Sequence, residues 1–430
     1  MKKTVLIFLV LIPFLTNAQD DKPKYGISFS GFVKNDFFFD TRQNVTIREG
    51  HFLLYPMNES LDADKKDINS GMNYNFLSIQ SRLTGKITGP DAFGAKTSGV
   101  LEADFFGNES SGLADVNGFR LRHAVIKLNW EKSELLLGQY WHPMFQPGCY
   151  AGVVSFNTGV PFQPFSRNPQ IRYTYKLGNI SILGVASAQR DFTSYGGSSP
   201  LRNSGTPELN LQMFYNKKND ESKTELLAGF GGGYKSLKPT LATTNGGKTY
   251  VTEEMVSGII GTAFFKYSNK AFTYKLQGVY GQNASDLIML GGYVVKEVTD
   301  TAKNTVNFAT VNCMSAWTEF QTNGEKIQFG IFAGYTSNLG TTDSVTNYLS
   351  KASAVTATQR GYNINYVYRV APRVVFISGN FNFALEAEYT AAAYATKNDL
   401  DQLNINSNGQ VTDSKEVANV RVLLSAIYKF

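Results

Sequence analysis

The residues best placed to act on a solute are charges that recur at alternate positions along segments of mixed polarity. Arg82 and Lys86 share a face with Ser78, Gln80 and Thr84. Glu102 and Asp104 stand opposite Leu101, Ala103 and Phe105, while Arg122, Arg167, Arg172 and Arg421 occupy further segments of the same kind. Successive side chains of a strand point to opposite faces, so each set lies on one side of its sheet. Fixed charges on such a face attract, orient and partly desolvate an ion of opposite sign, and low-dielectric walls concentrate their field. The chemistry on offer is electrostatic rather than covalent. With the basic residues on one wall and Glu102 and Asp104 on another, a transverse field across an enclosed space is expected. Any one of these groups is equally well a solvated wall residue or half of an ion pair, which selects little.

Covalent and metal chemistry find few residues. The three histidines, His51, His123 and His142, fall in an outer loop, a strand pattern and a later loop, and no two have metal-ligand spacing. No serine and carboxylate complete a hydrolytic set beside His123. The cluster Gly229-Phe230-Gly231-Gly232-Gly233 lies inside a strand pattern rather than before a helix, so it eases strand crossing and does not cradle phosphate. Neither a cofactor, a metal nor a catalytic residue is expected. Cys149 and Cys313 are the only cysteines. An oxidising compartment would permit a bridge between them, but their separation shows no framework pattern, and two free buried thiols fit better.

The elements that carry these charges read as strands. From Tyr25 onward the pattern alternates with period two and helical periodicity is nearly absent. In the last segment Ala418, Val420, Val422, Leu424, Ala426, Tyr428 and Phe430 share one face, and Asn419, Arg421, Ser425 and Lys429 the other. Leu77, Ile79, Leu83 and Ile87 likewise oppose Ser78, Gln80, Arg82, Thr84 and Lys86. Candidate strands are 27–38, 74–87, 96–106, 118–130, 133–141, 169–176, 179–189, 207–216, 223–235, 252–266, 271–282, 309–321, 325–336, 360–370, 374–392 and 416–430. Every second connection is long: 39–73, 107–117, 142–168, 190–206, 236–251, 283–308, 337–359 and 393–415. Tight turns such as Trp130-Glu131-Lys132 and Thr322-Asn323-Gly324 stand between them.

That rhythm belongs to an all-β, transmembrane, antiparallel up-and-down barrel of about sixteen strands, with short turns at one end and extended loops at the other. A soluble sandwich with Greek-key crossings has no reason to keep it. Hydrocarbon supplies no hydrogen-bond partner, so the sheet must close, pairing 27–38 with 416–430. At this strand number an aqueous lumen is expected. Met1-Lys2-Lys3, the apolar run Val5 to Leu15 and Thr16-Asn17-Ala18 have the layout of a secretory signal ending at Ala18, which leaves one barrel domain over 19–430. Without Lys2 and Lys3 the 41 basic residues become 39 against 35 acidic ones, a net charge of +4, too mild to imply nucleic acid.

Short motifs add a resemblance. The ending Ala426-Ile427-Tyr428-Lys429-Phe430 resembles the signal read by the outer-membrane barrel assembly machinery, with Tyr428 and Phe430 as its aromatic positions. Gly31-Phe32-Val33-Lys34-Asn35-Asp36, Gly118 to Ala124, Leu137-Gly138-Gln139-Tyr140-Trp141 and Arg167 to Thr174 are similar to the DcaP-like group of porins, over the first two fifths of the chain. The resemblance implies a trimeric, sixteen-stranded outer-membrane channel of a Gram-negative cell. It also implies that the loop from Trp141 to Arg167 folds inward, and that the solutes are small anions of dicarboxylate type.

The expectation is therefore passive diffusion of small polar solutes, tilted toward anions, through a pore lined by Arg82, Lys86, Glu102, Asp104, Arg122, Arg167, Arg172 and Arg421, in a homotrimer surrounded by outer-membrane lipid. The alternative is a surface-binding protein whose loops 39–73, 283–308 and 393–415 hold a partner. Tyr140, Trp141, Phe145 and Tyr150 read as interfacial girdle or loop packing more readily than as a stacking track for sugars. Putting both Arg120 and Arg122 inside requires a bulge near His123, because strict alternation would also turn Ala124, Ile126, Leu128 and Trp130 inward.

Overall fold

The computed structural model describes residues 25–107, 118–189, 197–346, 348 and 358–430; the expected signal at 1–18 lies outside them. The chain forms a closed antiparallel barrel of sixteen strands. They are β1 Gly26–Asp40, β2 in two pieces Asn73–Leu77 and Arg82–Thr88, β3 Lys96–Asp104, β4 Arg120–Asn129, β5 Ser133–Trp141, β6 Arg167–Leu177, β7 Ile180–Ser187 and β8 Glu208–Asn219. There follow β9 Thr224–Leu237, β10 Val256–Ser268, β11 Phe272–Gln282, β12 Thr305–Thr322, β13 Ile327–Thr341, β14 Ile364–Ser378, β15 Phe381–Ala395 and β16 Ser414–Lys429. Each neighbour pair is antiparallel, and β1 meets β16 with Phe32 opposite Lys429 and Asp40 opposite Arg421. Reciprocal backbone bonds between Gly31 and Phe430, at 3.0 and 3.1 Å, finish the seam. No sheet edge is left open there, as hydrocarbon demands. Among the described residues no helix is long and apolar enough to cross a membrane.

Alternation sorts the two surfaces of the wall. On β16 Val422, Leu424 and Tyr428 are exposed on the outside, whereas Asn419, Arg421, Leu423 and Ser425 are buried within. Two departures from strict alternation matter. Between Asp36 opposite Leu77 and Phe32 opposite Arg82, three residues of β1 face four of β2, 78–81. The extra residue reverses the face, so Ile79 is buried and Leu77 packs on the interior cluster, while Leu83 remains outside. Leu77 and Ile79 were expected on the lipid side; the break in β2 is what turns them in. On β4, Glu102 faces His123 and Ala103 faces Leu121, which leaves Arg122 as the extra residue of a bulge. The bulge near His123 that the two arginines require is thus present: Arg122 and His123 are both buried, while Leu121 and Ile126 point outward.

The expected turn at 371–373 is not there. β14 runs through Pro372, which lies opposite Ile331, and the chain turns at Gly379 and Asn380 instead. Proline removes one donor from the ladder, yet pairing resumes on the same register at Arg373 opposite Glu386. Gly379 has φ +57°, the left-handed conformation a tight turn needs and glycine adopts without strain.

The interior is not an empty tube. Residues 142–166 fold inward, as expected, but two of the expected outer loops contribute as well. The hairpin Asn44–Ile47 with Phe52–Pro56 and the segment around Ser285–Leu287 join the inward loop in one apolar cluster that includes Phe52, Leu54, Phe156, Phe165, Leu287 and Met289. His51, expected in an outer loop, is buried between Phe38 and Phe106. Burial, with Lys34 and Arg421 nearby, holds its imidazole down to about 3, so it stays neutral.

Candidate permeation site

The inward loop is suspended from the wall mainly by its own backbone. Gly152 N donates to Glu319 of β12 at 2.6 Å, Val154 N and Ser155 N donate to the two oxygens of Glu386 of β15 at 2.8 and 2.9 Å, and the Asn157 amide donates to Glu388 at 2.9 Å. From β1, Lys34 Nζ donates to Val154 O at 2.6 Å; from β11, Gln277 donates to Met144 O at 3.1 Å. Arg369 of β14 is a junction. Its Nε reaches Thr390 at 2.8 Å, one terminal nitrogen reaches Val160 O at 2.9 Å, and the other reaches Leu53 O and Leu54 O at 2.8 and 3.1 Å. One planar guanidinium therefore ties the inward loop and the first-loop hairpin to the same strand pair, a role its rigid fork of donors suits. A loop without carboxylates of its own thus supplies amide donors to three wall carboxylates, of which Glu319 is also paired with Lys275 and Arg373 and Glu388 with Arg369.

These tethers run to β1, β11, β12, β14 and β15, and on β8 Gln212 donates to Pro143 O at 2.5 Å; the charges singled out from the sequence stand on β2 to β5. There the charges form a tight array. Glu102 accepts from Arg122 Nε at 2.7 Å and from Thr84 at 2.9 Å, with Arg82 Nε at 3.7 Å. Asp104 accepts from Arg120 at 2.8 and 3.0 Å and from Arg122 at 2.9 Å. Basic and acidic residues therefore stand on adjacent strands and pair with one another. The expected arrangement on opposite walls is corrected: β2, β3 and β4 are neighbours, so charges alternating in sign across them meet side by side. Lys86 is exposed farther along β2, and Lys127 lies 3.5 Å from Glu134.

The other expected residues are buried around this array. Arg172 donates to Gln170 at 2.9 Å and to Trp141 O at 2.7 Å, with Tyr140 5.2 Å from its guanidinium. Arg167 lies 5.1 Å from the Trp141 ring and 5.4 Å from Phe165. Together with Arg48 and Arg120 it lines a cavity of about 510 Å³. Arg421, on β16 and so two strands from β2, is locked to Asp40 at 2.6 and 3.0 Å. Tyr428 and Phe430 are exposed on the outer surface at the seam.

Of the aromatics, Tyr140, Trp141, Phe145 and Tyr150 do not form an interfacial girdle; they face the interior. Trp141 and Phe145 stack at 4.0 Å and Phe145 and Tyr150 at 5.6 Å. Both cysteines are buried free thiols, and burial pushes the Cys149 thiol up to about 11. Sequence reasoning missed Lys34, Glu319, Arg369, Glu386 and Glu388. The pair Glu386 and Glu388 carries the same alternate-position signal that singled out Glu102 and Asp104.

No family model matches the sequence, and no curated protein matches it. Solved structures do match. The outer membrane channel DcaP of Acinetobacter baumannii is 15% identical with a TM-score of 0.64, over 95% of this chain and 99% of that one. OmpT of Vibrio cholerae, expressed in the outer membrane, is 10% identical with a TM-score of 0.52, over 95% of this chain and 99% of that one. At such identities the likeness carries the fold alone: this chain is a closed sixteen-stranded β-barrel with the same architecture as these outer-membrane proteins.

Proposed function

We propose that this chain is an outer-membrane porin through which small hydrophilic, preferentially anionic solutes diffuse passively. The observation that carries the reading is the charged wall of β2 to β5, where Arg82, Lys86, Arg120, Arg122 and Lys127 outnumber Glu102, Asp104 and Glu134 while the inward loop carries no acidic residue. Neutralised carboxylates no longer repel an anion, and the unmatched cations lower the cost of its partial desolvation. Arg167 would act at the edge of the neighbouring cavity, beside Trp141 and Phe165. Arg172 and Arg421 would act by holding the wall around the path. The mature chain, freed of residues 1–18, would be inserted by the barrel assembly machinery through its Tyr428 and Phe430 ending and would form a homotrimer in outer-membrane lipid.

The test is a planar bilayer under a potassium chloride gradient. The purified protein should produce discrete conductance steps with a reversal potential on the chloride side. Arg82→Ser, which leaves Glu102 paired with Arg122, should lower the chloride-to-potassium preference by about twofold, the scale of one partly screened lumen charge. A bilayer that stays silent would overturn the reading.

A further inference from the structure

We propose that the exposed edge of the inward loop at Tyr150 is a binding shelf for small aromatic carboxylates, a substrate class that rests on the anion-channel reading above. Tyr150 departs from the rest of its loop. Phe145, Phe156, Phe162 and Phe165 are 3% exposed or less, whereas Tyr150 is 42% exposed although the whole loop lies inside the barrel. The chain on either side is fixed: Cys149 Sγ lies 3.3 Å from Phe265 O, Lys275 Nζ donates to Tyr150 O at 3.0 Å, and Gly152 N is held by Glu319. The ring is therefore presented to lumen water by a backbone that does not need it for packing.

The surroundings specify what such a ring can hold. Behind it stand Phe145 and Trp141 in one continuous stack, so the platform is rigid. Lys275 Nζ sits 5.7 Å from the Tyr150 ring centroid, and across the lumen Arg82 lies over Phe32 at 5.2 Å with its charge felt at the Tyr150 phenol. Arg82 is loosely committed: its contact with Glu102 is 3.7 Å long, and its buried Nε has no hydrogen-bond partner among the described residues. A planar ring that stacks against Tyr150 while its carboxylate meets the partly exposed end of the Arg82 guanidinium matches both the aromatic surface and the cation. A neutral sugar uses the ring but leaves the cation unmatched; an aliphatic acid does the reverse.

Benzoate and cyclohexanecarboxylate, equal in charge and similar in size, separate these contributions. In single-channel recordings benzoate should interrupt the chloride current at roughly fivefold to tenfold lower concentration than cyclohexanecarboxylate, the scale of one aromatic contact. Tyr150→Leu should abolish the difference while chloride conductance persists, and Tyr150→Phe should keep it. Arg82→Gln should weaken both acids alike. Equal block by the two acids in the native protein, a benzoate preference that survives in Tyr150→Leu, or stronger block by glucose than by benzoate would each overturn the shelf and leave the porin intact. A native protein without conductance steps would overturn the porin and the shelf together.

Discussion

Arg82 and Arg421 illustrate how two residues of the same type and the same strand pattern come to do different work. Arg82 has a side chain 21% exposed and meets Glu102 only at 3.7 Å, whereas Arg421 is 2% exposed, pairs with both oxygens of Asp40, donates to Gly50 O at 2.8 Å and covers the Phe38 ring at 4.2 Å. Removing one partner of a buried pair leaves the other charge uncompensated, at a cost of about 3–5 kcal/mol. Arg421→Met is therefore expected to lower the temperature at which the folded gel band converts to the unfolded one, with ion preference unchanged. Adding Asp40→Leu should restore part of the loss; equal mobility curves for the native protein and Arg421→Met would contradict the strut. The alternating pattern told that Arg421 faces inward but not what it meets, because Asp40 stands 381 residues earlier in the chain.

At the scale of elements, the inward loop and the first-loop hairpin hang on a few wall groups, and Arg369 serves both. Arg369→Lys keeps the charge but loses the fork that spans Val160, Leu53 and Leu54. The expected outcome is a channel that flickers between two current levels where the native one is steady, with gel mobility of the folded barrel retained. A steady trace of native amplitude would show that the loops hold their place without it. Local parity errors also belong to this scale. The bulge at Arg122 was demanded by its own neighbourhood, since no strict alternation could place Arg120 and Arg122 inside and Ile126 outside. The break at 78–81 left no such conflict, and neither did Pro372, whose outward position in β14 costs one ladder bond that composition read as a turn.

For the whole molecule, closure is a backbone matter. The Phe430 main chain completes the seam with Gly31, while its side chain and that of Tyr428 remain exposed on the outer surface. Phe430→Ala should therefore refold into detergent like the native chain yet reach the outer membrane of cells at severalfold lower yield; equal yields would remove the assembly role proposed for this ending. The amino-acid sequence by itself determined a closed barrel, its strand order, its seam and, outside the break at 77–81, most of the sorting of lipid-facing from inward-facing residues. It could do so because those features follow from a local period of two and from the need to pair every backbone group in hydrocarbon. Only the tertiary structure decided that the hairpin at 44–56 and the segment near 285–290 join the inward loop inside the barrel, and which charges cancel one another. Those contacts join residues far apart in the chain through irregular loops, and such loops carry no periodicity from which a partner can be read.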